Sequence, residues 1–446
     1  MKLNSIHSVI YRRIALIYIG FIIVCLISCI GNREESVNKN NKRPNIILIM
    51  SDDQGYETLQ CYGSAEYHTP NLDNLAKTGV RFDRAYSNPL CTPSRVKIMT
   101  GQYNFRNYFR FGSLRAGEYT FGHLARSAGY KTMVSGKWQL AQNSYHDDPL
   151  TDPYRFGFDE YCLWQLMPGD YHRRYKNPIV MKNGRYFKNV YGKYGPDIYT
   201  GAITDFIDKH KDNPFFIYYP MCLPHKPWVP TPDSPDYKDF YPYSDGDTTY
   251  FKDMVAYIDK LVGRIVDKLE EVGVRDNTLI LFTGDNGTGD EVQTTMQDGT
   301  VIWGKKGLPL EHGTHVPLIA NWIGTIKGGQ VSDNLIDFSD FLPTLADVMG
   351  ITIPDSVSMD GISFYPQMLG EEGPVREFVY VFYRPGKPGF PPATYVHNKN
   401  WKLYESGGFY NIKEDPLEKN PIISGEMTPE MKREMIKLKA ILDTVR

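Results

Sequence analysis

Apolar residues recur along this chain at two periods. Residues 45–50 (Asn-Ile-Ile-Leu-Ile-Met, after Pro44) form a continuous apolar run, the mark of a strand buried on both faces. The run stops at Ser51-Asp52-Asp53. Apolar runs at 131–134, 214–219 and 278–283 lead into Gly136-Lys137, His225 and Asp285-Asn286. Between them the period lengthens. Residues 71–78, 119–127 and 197–211 carry helical signals, and Val255, Ile258, Val262, Ile265 and Leu269 fall on one helical face. A further strand is expected at 317–322 and a helix at 337–349. Residues 141–196 are rich in Tyr, Arg, Lys, Gly and Asn, lack periodicity, and read as long loops. This alternation predicts an α/β fold, a large and mostly parallel sheet sandwiched by helices. Such sheets collect their sites at the carboxyl ends of strands. After about Gly370 the pattern changes. Residues 377–383 and 393–404 alternate like antiparallel strands, and 429–442 resemble a closing amphipathic helix. The expected division is a main domain at 44–370 and a smaller α+β subdomain at 371–446.

One stretch, Leu90-Cys91-Thr92-Pro93-Ser94-Arg95-Val96-Lys97-Ile98-Met99-Thr100-Gly101, reads as a tight entry into a helix. Thr92 can cap, Pro93 suits the first turn and Gly101 the exit. Cys91 would sit just before the helix, where free N–H groups and the dipole favour an anion. Arg95, one turn along, can face the same anion. Taken alone, Cys91 reads as a buried thiol. Asp52-Asp53 and Asp285-Asn286 are oxygen-rich pairs at strand ends. Hard oxygen donors suit Ca²⁺ or Mg²⁺ rather than zinc, and a solvated turn is the alternative.

Composition narrows the partners. The 446 residues can bury a large core, and a net charge of −2 argues against nucleic acid as a partner. A bound anion must rely on local cations. The 32 tyrosines suit either a sugar-binding surface or half-buried structural positions. At the N-terminus, Arg12 and Arg13 precede an apolar run at 14–28 that is too short to cross a membrane comfortably. Leu26-Ile27-Ser28-Cys29 resembles a bacterial lipoprotein cleavage site. Residues 1–28 then form a signal peptide, Cys29 the lipidated first residue, and 29–43 a flexible tether, with ordinary secretion as the alternative. The expectation is an exported protein, lipid-anchored in the bacterial periplasm or at the outer-membrane surface. Cys61, Cys91, Cys162 and Cys222 show neither zinc spacing nor a disulfide-rich pattern.

The Cys91 stretch resembles the signature of the type I, formylglycine-dependent sulfatases of the alkaline-phosphatase-like superfamily: Cys-x-Pro-Ser-Arg, then a helical run ending in Thr-Gly. The resemblance covers nearly everything from Pro44 onward, including Phe409-Tyr410-Asn411-Ile412, which resembles a turn of the family's C-terminal subdomain. It implies hydrolysis of a sulfate ester on a sulfated saccharide. It also implies a maturation enzyme that oxidises Cys91 to formylglycine. One Ca²⁺ would be held by Asp52, Asp53, Asp285, Asn286 and the modified Cys91. Arg95, Lys137 in Gly-Lys-Trp, and Lys306 in Gly-Lys-Lys-Gly would stabilise sulfate charge. His225 in Pro-His-Lys-Pro would protonate the leaving alcohol. Two departures stand out. Gln139 replaces the histidine usual after Gly-Lys-Trp, and it cannot act as a base at neutral pH; His312 or His315 would have to take that step. Glu311-His312-Gly313-Thr314-His315 also differs from the family's usual Glu-Gly-Gly-x-Arg. Residues 164–174, with Tyr171, His172 and Arg173, could line the mouth of a cleft or form an ordinary surface loop. The competing functions are a phosphonate or phosphodiester hydrolase using the same nucleophile, and a non-catalytic binder of sulfated glycan.

Overall fold

A computed structural model describes residues 43–141, 152–166, 173–187, 190–241 and 245–445. The first apolar run becomes the strand Asn45–Ser51, in the middle of an 11-stranded sheet. Phe215–Pro220 pairs with it in parallel on one side and Thr278–Gly284 on the other. Beyond Phe215–Pro220 lie Lys131–Lys137 and then Glu160–Trp164, both parallel. The short antiparallel strands Met181–Lys182 and Arg185–Tyr186 end that side. Beyond Thr278–Gly284, His315–Asn321 runs antiparallel and pairs with Val80–Tyr86. Every residue of Asn45–Ser51 is buried, which explains why its sequence shows no alternation. Ile46, Leu48 and Met50 enter one core with Val96, Ile98 and Met99, while Ile47 and Ile49 enter the other with Ile258, Val262 and Ile265. Each such side chain contributes about 1.5–3 kcal/mol on burial. Helices therefore cover both faces of a mostly parallel sheet, as the alternation predicts.

Three local expectations need correction. Residues 141–196 are not all loops, because Glu160–Trp164 is a buried parallel strand of the main sheet. Its five residues are too few to show a period among polar and aromatic neighbours. Val80–Tyr86, missing from the sequence reading, alternates inward Val80 and Phe82 with Arg81 and Asp83, which pair with each other at 2.7 Å. It is a half-buried strand near the sheet margin and lacks the continuous apolar signature of the centre. Thr92 does not cap the next helix. Cys91 is itself the first residue of Cys91–Thr100, Leu90 holds the cap position, and the Thr92 hydroxyl accepts from the Gly112 N–H.

The small C-terminal sheet consists of Val379–Tyr383, Ala393–His397, Trp401–Tyr404 and Phe409–Asn411, all antiparallel, with Pro429–Thr444 packed on it through Leu438. It meets the Cys91 helix directly. Lys97, 1% exposed, donates to Asp337 at 2.6 Å and to the Tyr380 carbonyl at 3.2 Å.

Candidate active site

Parallel strands end on the same edge of a sheet, so their order sets the order of the site. Reading across, Thr278–Gly284 delivers Asp285 and Asn286, and Asn45–Ser51 delivers Asp52 and Asp53. Phe215–Pro220 leads to His225, Lys131–Lys137 ends on Lys137, and Glu160–Trp164 ends on Trp164. Backbone bonds lock the ends together: Asp285 N donates to Ser51 O at 2.9 Å, and Asp52 N donates to Leu223 O at 2.8 Å. Gly136 lets the Lys137 strand close in, since a Cβ there (φ +121°) would lie 2.0 Å from the Pro220 carbonyl oxygen.

Three buried carboxylates share this edge. Lys137 Nζ donates to both oxygens of Asp52 at 2.8 Å, and Arg174 Nη1 lies 3.8 Å from Asp52 Oδ2. Asp53 has a left-handed backbone (φ 67°), which stores strain in a non-glycine residue. Its N–H donates to Asp285 Oδ1 at 2.9 Å, while its carboxylate accepts from Asn286 Nδ2 at 2.9 Å and from Lys306. His225 Nε2 lies 3.6 Å from Asp53 Oδ2. Burial opposes the charge on Lys137 and Lys306, yet Asp52 and Asp53 hold both ammonium groups above their ordinary range. Burial, then Asp52, push the Asp285 carboxyl well above the carboxylate range. Burial, then Lys306, Arg174 and Lys137, hold His225 neutral, well below the ordinary histidine value. Its Nδ1 faces the Lys226 carbonyl, so Nδ1 carries the proton and the lone pair of the neutral ring is on Nε2.

Cys91 stands at the first position of a helix whose ten residues are all buried. Its thiol faces Gln139 Oε1 at 3.8 Å, and Gln139 also has a left-handed backbone (φ 45°). The sequence thus brings Cys91, Gln139, Lys137, Lys306, His225 and both acidic pairs to one edge. Arg95 takes a different post from the expected one. It is 1% exposed, and its terminal nitrogens donate to the carbonyls of Lys137 (2.6 Å) and Trp138, so it holds the turn that carries Lys137 and Gln139.

Other candidates lie elsewhere. His315 stacks on Tyr56 with ring centroids 4.1 Å apart, and both of its nitrogens are committed, to Glu311 at 2.9 Å and to the Asp83 carbonyl at 2.9 Å. It has no free nitrogen for a proton at Cys91. Burial lowers the basicity of His312, whose ring bonds the backbone of Trp303. In the segment 164–174, Arg173 is exposed, whereas its neighbour Arg174 turns inward, over the Trp164 ring at 4.4 Å and toward Asp52. The adjacent Tyr175 hydroxyl donates to the carbonyls of Cys222 (2.8 Å) and His225. Adjacent arginines in an aperiodic segment give no signal that separates one from the other. Tyr171, His172 and Cys29, with residues 1–42, lie outside the described residues.

The donor set suits a hard divalent cation. Asn286 Oδ1 is buried without a hydrogen-bond partner beside three carboxylates, an arrangement that is costly unless a cation occupies it. Asp52, Asp53 and His225 also present ligand atoms within 4.8 Å of one another. All four described cysteines are free.

Comparison with known proteins agrees with this geometry. A family model described as Sulfatase matches residues 44–351, and one described as N-sulphoglucosamine sulphohydrolase, C-terminal, matches 299–444. The chain is 30% identical over 375 residues to N-acetylgalactosamine-6-sulfatase of Homo sapiens, covering 76% of this chain and 68% of that protein. It is 25% identical over 520 residues to N-acetylglucosamine-6-O-sulfatase of Bacteroides thetaiotaomicron, covering 93% and 88%. Its fold matches the crystal structure of Ps i-CgsB in complex with k-i-k-neocarrahexaose, with a TM-score of 0.74, 25% identity and coverage of 90% and 92%. A metal-suited acidic edge, buried lysines and a cysteine at a helix start thus coincide with a match over most of the chain, which belongs to the sulfatase family and is a sulfuric ester hydrolase.

Proposed function

We propose that this protein cleaves a sulfate ester on a saccharide, using Cys91 after its oxidation to formylglycine by a maturation enzyme. The observation that carries this reading is the position of Cys91, at a buried helix start facing the Lys137, Lys306 and Asp53 edge. Hydrated formylglycine would supply a hydroxyl nucleophile and a second hydroxyl for expelling sulfate. Asp52, Asp53, Asp285 and Asn286 are the residues to hold Ca²⁺, with Mg²⁺ also compatible with oxygen donors. The metal would neutralise the carboxylates and polarise the bound ester. Lys137 and Lys306 bind sulfate oxygens, and Arg95 positions the Lys137–Gln139 turn. His225 protonates the leaving oxygen from Nε2. That atom must first take up a proton, which an anionic ester among Lys137, Lys306 and Arg174 favours by offsetting their repulsion. Gln139 hydrogen-bonds the nucleophile and supplies no base. A saccharide substrate is supported by the relatives, which are named for hexosamine sulfates, and by the neighbour in complex with a neocarrahexaose. Export and lipidation at Cys29 belong to the same proposal, and a Cys29→Ser variant should lose fatty-acid labelling.

The test is mass spectrometry of the tryptic peptide 85–95 from protein made in a host with a maturation enzyme, followed by a panel of sulfated sugars. An aldehyde at position 91 with sulfate release supports the reading. A thiol at position 91, in a host that modifies other sulfatases, overturns it. Rates on phosphate and phosphonate esters that exceed those on sulfate esters would move the assignment to the phosphorus-ester hydrolases.

A further inference from the structure

The loop between Val379–Tyr383 and Ala393–His397 leaves the small sheet and reaches the active site. It is pinned on two sides. The Tyr108 hydroxyl donates to the Pro385 carbonyl at 2.9 Å, and the Tyr383 hydroxyl donates to the Gly307 carbonyl at 3.0 Å. Gly307 directly follows Lys306, and its N–H donates to the carbonyl of Pro89, two residues before Cys91, at 2.7 Å. The Cδ1–Cε1 edge of the Phe390 ring lies against Gly307, where a Cβ would come within 1.9 Å of it. The loop is thus fixed to Tyr108 and to Gly307, which is itself bonded to the Cys91 segment through Pro89.

Lys387 stands at the tip of this loop. Its ammonium lies 5.0 Å from the Phe111 ring centroid and 5.2 Å from that of Phe390. Phe390 packs on Gly307, the residue after Lys306, so the Lys387 ammonium above Phe390 lies beside the reaction site. Among the described residues it makes no ion pair with a carboxylate, although Arg384 on the same loop pairs with Glu405 at 3.6 Å. A cation facing two other lysines is disfavoured by repulsion, and two aromatic rings offset part of that cost. Lys137 and Lys306 already engage the acidic edge where the ester binds, which leaves Lys387 for a different charge. The arrangement of a cation above two aromatic faces suits a sugar ring that carries a negative group.

We propose that Lys387, held over Phe111 and Phe390, binds a second anionic group, a carboxylate or a sulfate, on the saccharide whose sulfate ester is cleaved. This inference rests on the saccharide sulfatase reading. The full chain, matured and supplied with Ca²⁺, would be assayed on four substrates. These are 4-nitrophenyl sulfate, N-acetylglucosamine 6-sulfate, glucosamine 2-N,6-O-disulfate, and a 6-sulfated hexosamine linked to a hexuronate. Lys387→Met should raise KM about tenfold or more for one of the doubly charged sugars, relative to its effect on the singly charged pair. Lys387→Arg should keep most of the preference, and added salt should erode it in wild type and Lys387→Arg but not in Lys387→Met. The disulfate or the hexuronate, whichever loses more, identifies the group. Equal losses on all four substrates, or none on either doubly charged sugar, would overturn the assignment. If no sulfate ester is turned over, the saccharide sulfatase reading itself fails. Calorimetry of the disulfate and of the hexuronate-linked sugar on Cys91→Ser protein then decides for Lys387 alone: weaker binding of either with Lys387→Met supports it, and unchanged or absent binding of both rejects it.

Discussion

Two buried charge clusters lie on either side of the helix Cys91–Thr100, and they are built on opposite rules. At the Lys97 end, every charge is answered. Asp337 accepts from Lys97 and from the Ser339 N–H and hydroxyl, and Asp340 accepts from the Asp337 and Ile362 N–H groups and from Arg376. Arg376 also donates to the Tyr103 hydroxyl at 2.9 Å and to the Phe378 carbonyl at 3.2 Å. None of these side-chain atoms is left without a partner. At the Cys91 end, Asn286 Oδ1 and Arg174 Nη1 are buried without hydrogen bonds, and Asp53 and Gln139 hold strained backbones. The carboxylates of both clusters, Asp52, Asp53 and Asp285 in one and Asp337 and Asp340 in the other, are all buried. Satisfaction, not burial, separates a charge network that holds the fold from one kept ready for a ligand.

Substitutions can break or sharpen that contrast. The largest effect is expected at Asp285. Asp285→Asn should cut kcat/KM by about 10³-fold or more, because the cation loses a ligand. In metal-free buffer it should leave the melting temperature unchanged or higher, since one like charge is removed. Ca²⁺ should raise the melting temperature of wild type but not of the variant, as scanning calorimetry would show. A large loss of metal-free stability would place Asp285 with the structural cluster instead. Arg376→Met should do the reverse, costing about 3–5 kcal/mol of stability by stranding Asp340. Urea unfolding would measure it, and specific activity per folded molecule should persist. Arg174→Met should fall between these, lowering kcat/KM about 10²-fold through loss of a cation beside the ester. Steady-state kinetics that show a drop below threefold would remove Arg174 from the site.

The smallest effect concerns acid stability. His397 is buried against Tyr86, with ring centroids 4.5 Å apart, and its Nδ1 faces the Asn398 carbonyl at 3.0 Å. Burial, against the Asn398 carbonyl and with Lys402, brings its pKa down to about 4. An unfolded histidine titrates near 6.5, so protons favour the unfolded chain. The stability contributed by neutral His397 is complete above pH 6.5, falls as pH drops toward 4, and levels off below. His397→Gln should remove about 2 kcal/mol of the loss between pH 7 and pH 5, read from unfolding curves at the two pH values.

Local chemistry carried much of this protein in its sequence. Continuous apolar runs marked the central strands because both faces of the sheet are covered. The residues at their ends pointed to the acidic edge because parallel strands all finish on one side. Cys91, Pro93 and Gly101 announced a helix start and stop through rules that act over a few residues. The sequence did not reveal Val80–Tyr86 and Glu160–Trp164, whose short or half-polar patterns become strands only through their neighbours. Nor could it choose Arg174 over Arg173, assign Arg95 to backbone carbonyls, or commit His315 to Glu311. Those outcomes depend on which groups meet across tens or hundreds of residues. The same is true of Lys387, whose loop belongs to the small sheet and joins the site only when that sheet docks on the Cys91 helix. Residue type determined what chemistry was possible, and tertiary packing decided which charges were paired and which were left to meet a ligand.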